Sequence, residues 1–254
     1  MAVVVITQSS GLVLVALASP FFGGTWIGAD VAIASAGGLA GVFGLLCFYR
    51  SLAIGPMSVA APLSAVLAAL VPVVCGVALG ERPALSAWIG IPLALLAVVL
   101  FSRTEAGNET THAGSNVILL STLAGLGFGG FFVSLDKVSA NSGLLPIVSA
   151  RAASVLVVLL ALIVSRTPAT VPRSVLPTAL FCGLFDTLAN VFVMLANRHG
   201  MLATVAVISS LYPAATVLLA QVVLKERFTK LHIYASITAI LAVALIASGS
   251  SAGT

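Results

Sequence analysis

The chain has 254 residues, of which 60% are hydrophobic and 7% charged, and its formal net charge is +4. A soluble domain carries roughly 25% charged residues because its surface faces water, so a soluble fold is excluded. Nucleic-acid binding is also excluded, because it requires basic residues clustered on one face and the largest cluster is only Lys225, Arg227 and Lys230.

Long apolar segments follow one another along the chain, each near the ~20 residues needed to cross roughly 30 Å of hydrocarbon. In chain order they are 2–20, 31–49, 57–79, 85–102, 116–135, 144–165, 176–196, 201–224 and 231–248. None shows the alternation of a β-barrel strand. The sequence therefore predicts an all-α integral membrane protein with nine transmembrane helices, four before a polar linker and five after it.

An internal repeat appears when the chain is aligned with itself at a shift of 145 residues. The matched positions include a charged loop and several small residues: Leu79-Gly80-Glu81-Arg82 on Leu224-Lys225-Glu226-Arg227, Gly55 on Gly200, and Ser64 on Ser209. The shift pairs the first four segments with the last four, and 116–135 has no partner. We expect a repeat of five helices whose first copy lacks its first helix.

This repeat predicts the domain organisation and suggests a function. Residues 1–102 form the first repeat, 103–115 a polar linker, and 116–248 the second repeat. Because five is odd, two such units in series enter the membrane with opposite orientation. Inverted repeats of this kind are typical of secondary transporters, whose substrate site lies near the midplane between the repeats.

Two motifs in the first half and their equivalents in the second resemble a known family. They are YRSLAIGPMSVAAP from Tyr49 to Pro62 with Leu79-Gly80-Glu81-Arg82-Pro83, and Ser209-Ser210-Leu211-Tyr212-Pro213 with Leu224-Lys225-Glu226-Arg227. The whole chain resembles the EamA family of the drug/metabolite transporter superfamily. The resemblance implies ten helices around a central cavity, so the expected first helix is missing here. A misassigned start codon is the favoured explanation, and a nine-helix protein with an open cavity is the alternative.

Two ionisable residues lie well inside predicted helices, where a charge is costly and suggests function. Arg151 and Asp186 flank a short connection, and at ~1.5 Å per residue their depths differ by roughly 6 Å. We therefore predict an Arg151–Asp186 ion pair. It is either a structural contact, or it belongs to a substrate pathway in which Asn190 lies one turn after Asp186 on the same face.

Further candidates for the substrate pathway lie on segments that line the cavity in the resembled family. They are Tyr49, Ser64, Ser209, Ser210 and Tyr212. Each serine has a structural alternative, in which its hydroxyl bonds its own helix backbone. The loop charges at Glu81 and Glu226 are expected to anchor helix ends.

Several other chemistries lack the residues that they require. Cys47, Cys75 and Cys182 lie in apolar stretches without metal-ligand spacing, so neither a metal nor a disulfide is predicted. The chain has no phosphate-binding Gly-Lys-Ser/Thr loop. Metalloprotease or hydrolase chemistry would need HExxH, GxSxG or paired His and Asp groups, and His112, His199 and His232 lie in or near loops without such partners. We expect no enzyme activity and no cofactor.

The sequence thus predicts a secondary transporter that exports a small metabolite, an amino acid or an amphipathic compound. A non-transporting scaffold or partner subunit is the alternative. The expected location is the inner (plasma) membrane, with the lipid bilayer and a small-molecule substrate as partners and a homodimer as a candidate assembly. Orientation stays open, because the loop charges favour an external C-terminus whereas the resembled family has both ends in the cytoplasm.

Overall fold

The computed structural model describes residues 2–55, 57–104, 114–164, 171–209, 211 and 230–250. The helices in these ranges are α1 (Ala2–Phe22), α2 (Gly28–Ile54), α3 (Met57–Ala78), α4 (Leu85–Thr104), α5 (Ser115–Lys137), α6 (Leu145–Val164), α7 (Leu176–Asn197), α8 (Leu202–Ser209) and α9 (Lys230–Ser250). A single 3₁₀ turn, Ala140–Ser142, connects α5 to α6. No strand occurs in the described ranges.

Six stretches in the described part of the chain are long and apolar enough to cross a membrane. They are Ala2–Phe22, Gly28–Ile54, Val59–Ala78, Ser115–Lys137, Leu145–Val164 and Leu176–Asn197. Only 22% of the apolar window of α1 and of α7 is buried within the protein. The remaining apolar surface is suited to lipid, so the prediction of an all-α, multi-pass membrane protein is confirmed. Most of the predicted segment 201–224 lies outside the described residues.

The helices form two compact units, and each unit takes segments from both halves of the chain. The first unit consists of Met1–Val42 with Phe131–His199, and the second of Phe43–Gly130 with Gly200–Thr254. In the first unit α1 packs against α6 and α7. Its core contains Val15, Leu135, Ile147 and Met194, all at most 1% exposed.

Small residues bring α2 and α6 into close contact within the first unit. A Cβ atom at Gly38 would collide with the backbone carbonyl of Ala150. The Ser154 hydroxyl donates to the Gly38 carbonyl at 2.8 Å and to that of Ala150, in its own helix, at 2.9 Å. In a membrane, small side chains at an interface let helix backbones approach and gain van der Waals contact.

A second contact of the same kind joins α7 to α1. A Cβ atom at Gly183 would collide with the Thr7 carbonyl and the Ser10 hydroxyl. The Ser10 hydroxyl donates to the Leu180 carbonyl at 3.3 Å and to the Thr7 carbonyl at 3.0 Å. Here too a glycine and a serine hydroxyl join two helices that are distant in sequence.

One end of the first unit is closed where the α1–α2 connection and the first turn of α2 meet the α5–α6 connection. The buried carboxylate of Asp30 accepts hydrogen bonds from the backbone N–H of Ser139, at 3.1 Å, and from the Ser142 hydroxyl. The Thr25 N–H donates to the Asn141 carbonyl at 2.8 Å. These bonds satisfy backbone groups that follow the end of α5 and tie the α1–α2 connection to them.

In the second unit α9 packs along α4, and α3 contacts α4 and α8. The core of this unit is rich in alanine, including Ala94, Ala97, Ala235 and Ala242, none of which is exposed. Close packing of small side chains again holds the helices together. A hydroxyl pair, Ser51 and Ser121 at 2.7 Å, adds a buried polar contact between α2 and α5.

Candidate functional site

Arg151 and Asp186 occupy an unusual position for charged residues. Among the acidic and basic residues of the described helices, these two lie more than five residues from either helix end. The Arg151 side chain is 7% exposed, whereas that of Asp186 is 59% exposed. A charged group at such depth persists only if it is paired or faces water.

The two residues form an ion pair, and a third side chain completes the cluster. Arg151 Nη2 donates to Asp186 Oδ2, and Arg151 Nη1 donates to Gln8 Oε1. The cluster links α6, α7 and α1 within the first unit. The ion pair predicted from depth along the chain is therefore confirmed. Gln8 stands out in the sequence as a polar residue in an apolar helix, but its partner could not be identified without the fold.

Burial explains why Arg151 needs both acceptors. A guanidinium removed from water loses its hydration, and only hydrogen-bonded, oppositely charged partners offset that loss. Charge-assisted bonds to a carboxylate are the strongest that a protein offers to this group. Gln8 adds an acceptor without adding charge, so the cluster as a whole is electrically neutral.

Asp186 lies at the border between the buried and exposed faces of α7. Gly183, Thr187 and Met194 form the buried face, while Phe181, Phe185 and Phe192 are each at least 60% exposed. Asp186 has the exposed Cys182 one turn before it and the partly buried Asn190 one turn after it. Beyond its bond to Arg151, the carboxylate has no described hydrogen-bond partner. One side of the carboxylate is therefore bonded to Arg151, and the rest of it is exposed.

The other predicted pathway residues lie in the second unit or outside the described residues. Tyr49 is 48% exposed, and its ring centroid is 6.2 Å from that of Phe48. The buried Ser64 hydroxyl donates to Ala60 at 2.9 Å and to Ala61 at 3.0 Å, both in its own helix. This contact corresponds to the structural alternative for Ser64.

Among the remaining candidates, Ser209 is the last residue of α8 and is partly buried. Ser210 and Tyr212 lie outside the described residues. The structure thus brings together Arg151 and Asp186 from the predicted set, and the role of the other residues stays a prediction.

Glu81 illustrates how a loop charge anchors a helix end. Its carboxylate accepts the backbone N–H of Leu202 at 2.6 Å and that of Ala203 at 3.0 Å, at the start of α8. The first N–H groups of a helix lack partners within the helix and carry partial positive charge. The expected anchoring role is therefore confirmed for Glu81, whereas Glu226 lies outside the described residues.

The apolar, lipid-compatible helices define a multi-pass α-helical membrane protein. The profile described as the EamA-like transporter family matches residues 115–248, which is more than half of the chain. The chain belongs to the EamA-like transporter family, as the motifs around Tyr49 and Ser209 predicted. Its fold is also similar to that of another protein whose crystal structure has been solved.

That similarity has a TM-score of 0.80 at 18% sequence identity, over 97% of this chain and 88% of the other. At this identity the match shows a shared fold and nothing about substrate. No sequence among the curated proteins matches the chain.

Proposed function

We propose that the protein is a secondary transporter that exports a small metabolite, an amino acid or an amphipathic compound across the inner (plasma) membrane. Membership of a transporter family supports transport as such. The observation that carries the proposal is the Arg151–Asp186 pair, in which a mid-helix carboxylate is half exposed beside a buried cation. Ionisable residues inside membrane helices commonly mark substrate or ion pathways.

The proposal includes an architecture of nine spanning helices from an inverted five-helix repeat. Its repeats are residues 1–102 and 116–248, joined by the linker 103–115. Two packing contacts support it, because Gly38 and Gly183 lie 145 positions apart and each contacts a backbone carbonyl of another helix. The partners, α6 and α1, are themselves related by the same shift. Equivalent glycines at equivalent interfaces are expected if both halves descend from one unit.

The principal alternative is a non-transporting scaffold, in which the Arg151–Asp186 pair only holds helices together. The two readings differ in what happens when the charge of Asp186 is removed but its shape is kept. For a transporter, Asp186→Asn abolishes or uncouples transport in a protein that still folds. For a scaffold, the substitution affects stability alone.

The test uses vesicles that contain the purified protein and are loaded with a mixture of radiolabelled amino acids. We expect efflux above that from protein-free vesicles, and its loss in Asp186→Asn. Asp136→Asn is the matched control, since this carboxylate lies at the end of α5 and pairs with its neighbour Lys137 at 3.0 Å. Full efflux from a folded Asp186→Asn protein would remove the residue from the mechanism.

Thermal unfolding of the same proteins measures how much the Arg151–Asp186 pair contributes to the free energy of unfolding. Asp186→Leu leaves Arg151 buried without its charged partner, which we expect to cost about 1–3 kcal/mol. The joint change of Arg151 and Asp186 to leucine should recover most of that loss, because removing both partners costs less than removing one. A double variant no more stable than Asp186→Leu would contradict the buried-pair interpretation.

A further inference from the structure

We propose that a cavity at the end of α1, in the first unit, binds an amphipathic alcohol from the membrane, a molecule with a hydroxyl group and an alkyl chain. The cavity has a volume of about 380 Å³ and is bordered by α1, the α1–α2 connection and the start of α6. None of Gln8, Arg151 and Asp186 lines it. The inference is therefore independent of the proposed transport function.

The size and the walls of the cavity suit an organic molecule better than water alone. Ligand pockets typically have about 300–1,000 Å³ and mostly apolar walls with a few polar groups, whereas one water occupies about 30 Å³. Here the apolar walls include the side chains of Pro20, Leu145 and Val148. Gly24 also lines the cavity, where its backbone passes Ser142 so closely that a Cβ atom would collide. An alkyl chain would thus find apolar contacts from α1 and from α6.

One polar side chain in the wall has no partner. Ser19 lines the cavity and is only 8% exposed, and its hydroxyl has no hydrogen-bond partner among the described residues. Every other buried serine in the described ranges donates to an acceptor in the protein; these are Ser51, Ser64, Ser121, Ser134, Ser142 and Ser154. Because an unpaired buried hydroxyl is costly, the exception indicates a position where a ligand supplies the partner.

A proline in the same turn leaves a second polar group without its usual partner. Pro20 lies inside α1 and has no N–H, so the Ala16 carbonyl lacks the donor that a regular helix would place four residues later. Ala16 also lines the cavity, and Ser19, three residues later, lies on the same face of the helix. An alcohol matches this pair, because its hydroxyl group can donate to the carbonyl and accept from Ser19.

The charges around the cavity favour an uncharged head group. Among the described residues, no acidic or basic side chain lines it. Asp30 and Arg151, which are close to lining residues in the sequence, are bonded to other groups of the protein. A charged head group would lose its hydration here without gaining a counter-ion, whereas a hydroxyl group needs only hydrogen bonds.

The position of the cavity makes it accessible to molecules dissolved in the membrane. Helix α1 ends at Phe22, and Phe21 and Trp26, close to the lining residues in the sequence, are 89% and 70% exposed. Aromatic side chains, tryptophan above all, are enriched at the border between hydrocarbon and head groups. An amphipathic alcohol collects at the same border, because its alkyl chain avoids water while its hydroxyl group does not.

The experiment uses the purified protein in phosphatidylcholine vesicles and an octanol that carries a photoreactive diazirine on its alkyl chain. After illumination, mass spectrometry locates the labelled residues. We expect labelling to concentrate at the end of α1 and the start of α6, around Ser19 and Val148. Labelling spread evenly over the exposed residues of all helices would mean that the probe only dissolves in the lipid, and would overturn the proposal.

Competition at equal concentrations in the membrane identifies the head group. Unlabelled 1-octanol should suppress labelling of the cavity. Its isomer heptyl methyl ether, which has no O–H group, should be about two- to tenfold less effective, as expected for the loss of one hydrogen bond. Octylamine and octanoate, which are charged at neutral pH, should also compete less well. Equal competition by the ether, or better competition by either charged compound, would reject the site for an alcohol.

Three variants assign the contacts. Ser19→Ala removes the hydroxyl without breaking a bond within the protein, so it should stay folded and require about two- to tenfold more 1-octanol for the same suppression. Pro20→Ala returns an N–H to the Ala16 carbonyl and should weaken competition to a similar extent. Ser9→Ala, on the same helix but outside the cavity, is the matched control and should behave as the original protein. Thermal unfolding checks that each variant is folded, and unchanged competition in both Ser19→Ala and Pro20→Ala would contradict the assigned contacts.

Discussion

Two helix faces that lie 145 residues apart, one on α2 and one on α7, are built in contrasting ways. On α2, Gly37 and Gly41 lie against Ser134 and Phe131 of α5, where Gly37 is buried and Gly41 partly buried. The corresponding positions on α7 hold Cys182 and Asp186, which are both exposed. On α2 the two glycines have no side chain, which lets α2 pack closely against α5. On α7 the corresponding face presents the carboxylate of Asp186.

The difference is informative because the neighbouring positions are alike. Gly38 and Gly183 are both glycines, and both touch a backbone carbonyl of another helix. The close helix contact thus occurs in both halves of the proposed repeat, while the residue one turn away is Gly41 in one half and Asp186 in the other. The packed face of α2 and the candidate site on α7 therefore differ by a few side chains at equivalent positions.

The largest expected effect comes from transferring the carboxylate to the packed face of α2. Gly41→Asp places a charge beside the Phe131 ring, where the equivalent of Arg151 is Ile6. Because Gly41 is partly buried, an unpaired charge there should cost about 3 kcal/mol, the lower end of the range for buried charges, and we expect a fall in the unfolding midpoint and in folded yield. Size-exclusion chromatography of heated, detergent-solubilised protein measures both.

Gly41→Ala is the control that separates charge from size. Its Cβ would lie 3.3 Å from the Phe131 ring, which requires only a small adjustment. We expect it to remain folded. Equal losses in Gly41→Ala and Gly41→Asp would mean that space, rather than charge, distinguishes the two faces.

A smaller loss of stability is expected at Gly38 and Gly183, where the two halves of the proposed repeat have the same residue. Gly38→Val and Gly183→Val each force a side chain against a backbone carbonyl, and overpacking of this kind typically costs about 1–3 kcal/mol. Gly28→Ala, at the start of α2 with no atom within 4 Å of its added Cβ, is the matched control and should be neutral or slightly stabilising. A tolerated Gly183→Val beside a damaging Gly38→Val would show that the two contacts are not equivalent.

The smallest effect concerns the hydroxyls at these contacts. Ser154→Ala removes a buried bond of 2.8 Å to the Gly38 carbonyl, and we expect it to cost about 0.5–1.5 kcal/mol. Ser10→Ala removes a longer, exposed bond of 3.3 Å to Leu180 and should cost less. Thermal unfolding of the two variants in parallel checks the order, and the reverse order would contradict the assigned geometry.

Apolar length predicted six spans that the described residues contain, out of nine predicted, but helix ends were harder to predict. The segment 176–196 became α7, Leu176–Asn197, whereas 31–49 extended to Ile54 as α2. The sequence criterion stopped at the charge of Arg50, although a long arginine side chain can continue a helix and reach the membrane interface. Gly55, followed by a proline, ends the helix instead.

In the candidate site, too, one contact could be predicted from the sequence and another could not. Arg151 and Asp186 could be paired from the sequence because a short connection fixes their relative depth. Gln8 lies 143 residues from Arg151, and nothing local indicates that α1 packs beside α6. The bonds of Asp30 to Ser139 and Ser142 were unpredictable for the same reason, since they depend on the first turn of α2 meeting the distant α5–α6 connection.

The carboxylate of Glu81 has a consequence for biogenesis. It joins backbone groups that lie 121 and 122 residues later in the chain. At roughly 5–20 residues per second of synthesis, about 6–24 s separate the emergence of the loop from that of its partner helix. During this interval the Glu81 carboxylate has no helix end to accept from, and the first N–H groups of α8 reach this acceptor only once residues 202 and 203 have been made. The second unit therefore acquires this contact late, after most of the chain has left the ribosome.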